Sequence, residues 1–298
     1  MDLLDLVLLY DCNLKCSYCT ITDAMRVGRQ VTPRQAAQEI DAAAERGCRA
    51  LSLTGGEPTL RRDLLGLVRR ARARGFTDIK IQTNGLLFAE PANLARAVDA
   101  GVTQFGVSVH EYSPIDIDSY ERGVRALGVE PMLLCAIDNL IAAPVELTVD
   151  MIMMRSTMAS LFEAMVALAE RGVMVFNLWL VSLTDNNADA LDSLPTLTSI
   201  MPVVKRCLEY GRSHGVDVRS LHVPRCFLAG YEGHVHHPGV GKLVRVVTPE
   251  SVFELSASQL SGGVKPERCS RCCYDAVCPG LRADYVDRHG DEEVRPVS

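Results

Sequence analysis

Residues 32–57 read TPRQAAQEIDAAAERGCRALSLTGGE, and this stretch decides the fold. Thr32, Pro33 and Gln35 fit the N-cap, first-turn proline and capping-box positions of a helix. The polar-amphipathic run that follows stops at Gly47, a residue type that closes a last helical turn in the left-handed conformation. Ala50 to Leu53 is then a β-rich apolar run, so the stretch is a helix-to-strand junction. The junction recurs at Gly75 before Ile79 to Gln82, at Gly101 before Phe105 to Val109, and at Gly172 before Val173 to Val181. Strands alternating with helices at roughly 30-residue spacing imply βαβ units and a parallel sheet. Leu3 to Tyr10 and Val145 to Met154 bring the number of strands to six. The expected fold is α/β, a partial (β/α)6 TIM-like barrel.

From Thr184 the pattern loosens, and Asp185, Asn186, Asn187, Pro195 and Pro202 mark a connection into a helix running to about His214. After Val218 the chain is loop-rich, with short strands expected at Lys242 to Val247 and Val252 to Leu255. A boundary near residue 215 divides a barrel, residues 1–215, from a small C-terminal domain, residues 216–298.

The composition, 48% hydrophobic and 23% charged, is that of a globular protein. A net charge of -6 argues against a nucleic-acid partner, because phosphate binding needs a concentrated positive field. The apolar runs fall short of the roughly 20 residues that span a bilayer. The first residues, Met-Asp-Leu-Leu-Asp, carry acids where a signal peptide carries bases, so a cytoplasmic protein is expected. In a reducing compartment, clustered cysteines read as metal ligands or catalytic thiols. The chain has 11 cysteines, with clusters at Cys12, Cys16, Cys19 and at Cys269, Cys272, Cys273, Cys278.

The first cluster, Cys12-x3-Cys16-x2-Cys19, directly follows the first strand. Three thiolates on a short loop can hold three irons of a [4Fe–4S] cube and leave the fourth open to another ligand. Structural zinc is the competing reading, but it asks for four ligands and no nearby histidine completes the set. The spacing, with Tyr18 before the third cysteine, resembles the signature of the radical S-adenosylmethionine (radical SAM) superfamily. Thr54-Gly55-Gly56-Glu57 resembles the Gly-Gly-Glu motif of that family, which follows the second strand and binds the methionine amino group. Asn84 after the third strand, Ser108 and His110 at the fourth and Arg155 at the fifth stand where family members contact the ribose or the methionine carboxylate. His110 departs from the acidic residue more common in the family and is given no role. All these positions fall at the carboxyl ends of strands, where parallel barrels place their active sites. Cys48 precedes the second strand, and it is read as buried core together with Cys135 and Cys207, which lie in expected helices.

The resemblance implies reductive cleavage of S-adenosylmethionine to a 5′-deoxyadenosyl radical, which takes hydrogen from a substrate carbon. Flavodoxin or ferredoxin is the implied electron donor. The tail, Cys269-x2-Cys272-x5-Cys278, resembles the auxiliary-cluster extensions called SPASM or, in shorter form, Twitch domains. Three ligands want a fourth, and Cys226 is the remaining thiol outside the expected barrel elements. A second [4Fe–4S] cluster on Cys226, Cys269, Cys272 and Cys278 is therefore expected, with a zinc ribbon as the alternative. Cys273 is surplus, either a spectator or a hydrogen donor to a substrate radical. The histidines of His234 to His237 are given no role. Enzymes with such tails often oxidise, crosslink or epimerise a ribosomally made peptide. A dehydrogenase or epimerase of a small molecule, such as a sugar or aminocyclitol, is the rival, and a non-catalytic iron–sulfur carrier is a third reading.

Overall fold

A computed structural model describes residues 1–109, 130–237, 241–258 and 263–298. The six strands read from the sequence are β1 (Leu3–Val7), β2 (Ala50–Thr54), β3 (Asp78–Thr83), β4 (Gln104–Ser108), β5 (Glu146–Met153) and β6 (Val175–Leu180). Each pairs in parallel with the next. Two further strands, β7 (Asp217–Leu221) and β8 (Val235–His236), continue the sheet past β6. At the other edge β9 (Val244–Val247) lies parallel to β1, and β10 (Val252–Glu254) pairs antiparallel with β9. The two edges of this ten-stranded sheet do not meet, so the barrel is partial and open. Strands from both sides of residue 215 share the sheet. The cysteine-rich residues 263–298 contribute no strand to it and include one short helix.

The helices are α1 (Asp23–Arg26), α2 (Pro33–Glu45), α3 (Leu64–Ala73), α4 (Pro91–Ala100), α5 (Glu130–Ala142), α6 (Leu161–Glu170), α7 (Leu197–His214) and α8 (Ala283–His289). Helix α2 begins as its sequence demands: Pro33 sits in the first turn and the Thr32 hydroxyl accepts the Gln35 N–H at 3.1 Å. Gly47 has φ +80°, the left-handed value that ends the helix and turns the chain into β2. Ala36, Ile40 and Ala43 of α2 are buried at helical spacing.

One face of the sheet is apolar and the other polar, because side chains alternate along each strand. On the helix-covered face the register aligns Leu53, Ile81, Phe105 and Leu147, then Val107, Val149, Phe176 and Val218. Burying a side chain of this size contributes about 1.5–3 kcal/mol. The opposite face aligns Asp5, Ser52, Lys80, Gln104 and Glu146 in one row and Ser108, Asp150, Asn177 and Arg219 in another. A polar inner wall is what an open barrel needs if it is to face a polar ligand rather than a packed core.

Cys48 and Cys207 are buried, as expected for core residues. Cys135 is exposed, contrary to the expectation. The buried residues of α5 are Leu133, Ala136, Ile137 and Leu140, a stripe at i, i+3, i+4 and i+7 that Cys135 falls outside. Among the described residues no helix is long and apolar enough to cross a membrane.

Candidate active site

The turn after β2 and the loop after β1 are built against each other. Gly56 N–H donates to the Leu9 carbonyl at 2.7 Å, and Glu57 N–H to the Asp11 carbonyl at 2.8 Å. A Cβ on Gly55 would lie 2.4 Å from the Leu9 oxygen, and one on Gly56 2.2 Å from the Asp11 oxygen. These glycines are therefore required by backbone packing within the chain itself, which seats the cysteine loop on the end of β2.

That seating produces a cavity of about 160 Å³ at the carboxyl ends of β1 to β4. Cys12, Cys16 and Cys19 line it together with Tyr18, Gly55, Gly56, Asn84 and Ser108. Arg26 and Gln82 line it as well, and the sequence reading missed both. Arg26 bonds the Leu14 carbonyl at 2.9 Å and approaches the Cys19 sulfur at 3.6 Å, placing a cation beside the thiols. Burial raises the proton affinity of Cys12, partly offset by the Leu14 N–H, which donates to its sulfur at 3.4 Å. No fourth thiol, imidazole or carboxylate is among the described residues that line this cavity, so its donor set suits a three-thiolate cluster with one open iron better than a closed zinc site.

Glu57 is completely buried. Its Oε1 accepts from Thr59 N–H at 3.0 Å, the Thr59 hydroxyl at 2.7 Å and the Thr83 hydroxyl at 2.8 Å, while Oε2 accepts from Asn84 N–H at 2.8 Å. The carboxylate thus joins the end of β2 to the end of β3. Oε2, with one protein donor, keeps an acceptor position. Asn84 in turn donates to the Asn13 side chain at 2.7 Å, which ties β3 to the cysteine loop.

Below the cavity, Asp150 on the inner wall accepts from Gln82 at 2.6 Å, Asn177 at 2.7 Å and Trp179 at 3.1 Å. The network fixes Gln82, whose carboxamide fills the space that Gly106 leaves open. Farther round the rim, His222 follows β7 with φ +67°, its ring 5.4 Å from that of Trp179. Burial lowers its pKa to about 3, so the imidazole is neutral. The loop after β6 reaches across to the cysteine loop: Asn187 donates to the Tyr18 carbonyl, and Asn186 donates to the Cys19 carbonyl at 3.0 Å. Arg155 does not line the cavity. Its Nε donates to the Asp192 carbonyl at 2.9 Å. His110 lies outside the described residues.

A second cavity is lined by Cys226, Cys269, Cys272 and Cys278. Burial, then the neighbouring Cys278, Cys272 and Cys269 thiols, push Cys226 up to about 11. Four thiols lining one cavity would repel one another as thiolates, and a bound metal would relieve that repulsion. Cys273 is exposed and does not line the cavity, and its N–H donates to the Val297 carbonyl at 2.8 Å. His234 is taken up by structure, with ring nitrogens on the Val218 carbonyl at 2.9 Å and the Arg212 guanidinium at 3.2 Å.

Comparisons with known proteins agree with this geometry. The chain is 37% identical over 108 residues to a probable GTP 3′,8-cyclase of Metallosphaera sedula, a match covering 36% of this chain and 33% of that one. The chain thus spans about a third of the length of that relative. In fold it is similar to anSMEcpe, solved with bound AdoMet and a Kp18Cys peptide, with TM-score 0.70 at 15% identity over 99% of this chain and 92% of that one. It is also similar to SuiB of Streptococcus suis bound to the precursor peptide SuiA, with TM-score 0.67 at 13% identity over 99% of this chain and 75% of that one. The model of the Radical SAM superfamily matches residues 6–194, from within β1 past β6, and so takes in the cysteine loop, the Gly-Gly-Glu turn and most of the inner wall. The chain belongs to the radical SAM superfamily.

Proposed function

We propose that this radical SAM enzyme carries two [4Fe–4S] clusters and takes hydrogen from a carbon of a peptide, oxidising, crosslinking or epimerising it. The observation that carries the two-cluster reading is the pair of cavities, one lined by three thiols and one by four. The first cluster, when bound, supplies the electron that cleaves S-adenosylmethionine and so makes the radical that attacks the substrate. Cys12, Cys16 and Cys19 hold it, and Arg26 offsets the negative charge of the thiolates. Glu57 offers the free acceptor position of Oε2 to the methionine ammonium. Tyr18, Gly55, Gly56, Asn84 and Ser108 line the space for the rest of that molecule, and Gln82 is held in place for it by Asp150. The Asn186 and Asn187 bonds keep the cysteine loop from shifting as the ligand enters and leaves. Flavodoxin or ferredoxin is the electron donor of this reading, and the cytoplasm its compartment.

A peptide substrate is supported by the architecture shared over the whole chain with two proteins solved with peptides. The sequence likeness to GTP 3′,8-cyclases supports a second reading, a small-molecule substrate. The match to the Metallosphaera sedula protein covers 36% of the chain.

Residues 216–298 supply the auxiliary site in this account, with Cys226, Cys269, Cys272 and Cys278 as its ligands and Cys273 as a bystander. In a background with Cys12, Cys16 and Cys19 replaced by alanine, about four irons per chain are expected. There Cys226→Ala is expected to disturb iron content and spectrum, and Cys273→Ala to leave both alone. Zinc in that background, or loss of iron on replacing Cys273 and not Cys226, contradicts the assignment.

A further inference from the structure

Residues 294–297 lie along the second cavity, with Val294, Arg295 and Pro296 among the residues lining it. Val294 is buried and Arg268 holds the segment down, its Nε bonding the Val294 carbonyl at 3.2 Å and its Nη2 the Asp291 carboxylate at 2.6 Å. Anchored in this way, the backbone turns a donor toward sulfur. Val297 N–H donates to the Cys272 sulfur at 3.4 Å, while the Val297 carbonyl accepts Cys273 N–H at 2.8 Å. Pro296, just before it, has no N–H to give.

We propose that the 294–297 segment is a strap that sets the reduction potential of the auxiliary cluster through an N–H···S hydrogen bond from Val297 to Cys272. The proposal rests on the reading of the four thiols as ligands of that cluster. A thiolate that accepts a hydrogen bond shares its negative charge with the donor, and the reduced, more negative cluster gains more from this than the oxidised one. Hydrogen bonds to cluster sulfurs and exclusion of solvent are among the main means by which a protein tunes such a potential. The strap supplies the bond from backbone, so its strength is insensitive to the side chain at 297. It also covers one side of the cavity, which keeps water from competing for the same sulfur.

A proline at Val297 removes the N–H and leaves the rest of the strap in place. The measurement is the midpoint potential of the auxiliary cluster, followed by electron paramagnetic resonance in the full chain carrying alanine at Cys12, Cys16 and Cys19, with iron counted in parallel. Val297→Pro is expected to move the potential to a more negative value with iron still at about four per chain. Val297→Ala, which keeps the N–H, is expected to match its parent. An unchanged potential in Val297→Pro at full iron content overturns the strap. So does loss of iron in Val297→Pro, which makes the segment structural only. If the parent itself holds zinc or no metal, the ligand reading fails instead, and the iron count separates that outcome from the other two.

Discussion

Replacing Cys12, Cys16 and Cys19 together by alanine is expected to abolish formation of 5′-deoxyadenosine and methionine from S-adenosylmethionine under reducing, anaerobic conditions. Iron should fall from about eight to about four per chain in the same protein. The expectation rests on the donor set: these three thiols line one cavity, and no other thiol, imidazole or carboxylate among the described residues lines it with them. A single replacement leaves two thiolates able to retain part of a cluster, so the triple variant gives the larger and cleaner effect. Folding should survive, because all three cysteines are only partly buried and sit on a loop that neighbouring side chains hold through its backbone. Product formation at the parent rate means that the electron comes from elsewhere and the cavity is misread.

The second large effect is at Glu57, and the hydrogen bonds there dictate which variant to make. Glu57→Ala removes the acceptor of four bonds in a fully buried place. Each unsatisfied buried donor costs about 1–3 kcal/mol, so the alanine variant should be destabilised as well as inactive. Glu57→Gln keeps the shape and most of the acceptors while removing the charge. A bond to a charged group contributes about 1.5–3 kcal/mol, so calorimetric titration of reconstituted Glu57→Gln should show S-adenosylmethionine affinity about 10- to 100-fold weaker with the cluster spectrum intact. Parent-like affinity makes Glu57 a purely structural tie between β2 and β3.

What the sequence could announce was local. The junction of a helix, a glycine and an apolar run located four of the six core strands, and apolar runs at Leu3 to Tyr10 and Val145 to Met154 located the other two, since each signal spans only a few residues. The sheet's further strands were harder: β7 and β8 follow the last junction with polar residues between the apolar ones, as in Asp217-Val-Arg-Ser-Leu221, and β8 has two residues. The same alternation in Asp78-Ile-Lys-Ile-Gln-Thr83 carries the polar inner wall, a period-2 signal that a reading for apolar runs passes over. Cys135 was misplaced for a related reason, as its helix is apolar nearly all round and its buried face emerges only by counting positions.

Tertiary contacts gave no local sign. Asn187 meets the Tyr18 carbonyl 169 residues away, and nothing in either segment marks the pairing. Arg26 and Gln82 join the cavity because the fold brings their elements to its rim, and Asp150 matters only through what it holds. Glu57 was expected to meet a ligand, and its four internal bonds show that it also joins the ends of β2 and β3. The 294–297 strap belongs to the same class, since its backbone donor cannot be read from side-chain identity.

The most direct measurement of the central claim is transfer of label into 5′-deoxyadenosine. Reduced enzyme and S-adenosylmethionine are incubated in parallel with perdeuterated peptide, nucleotide and sugar pools, and the deuterium in 5′-deoxyadenosine is read by mass spectrometry. Deuterium is expected from the peptide pool, and none when Cys12, Cys16 and Cys19 are replaced. Label drawn only from nucleotides or sugars contradicts the peptide reading, and active cleavage with no label from any pool contradicts hydrogen abstraction from these substrate classes.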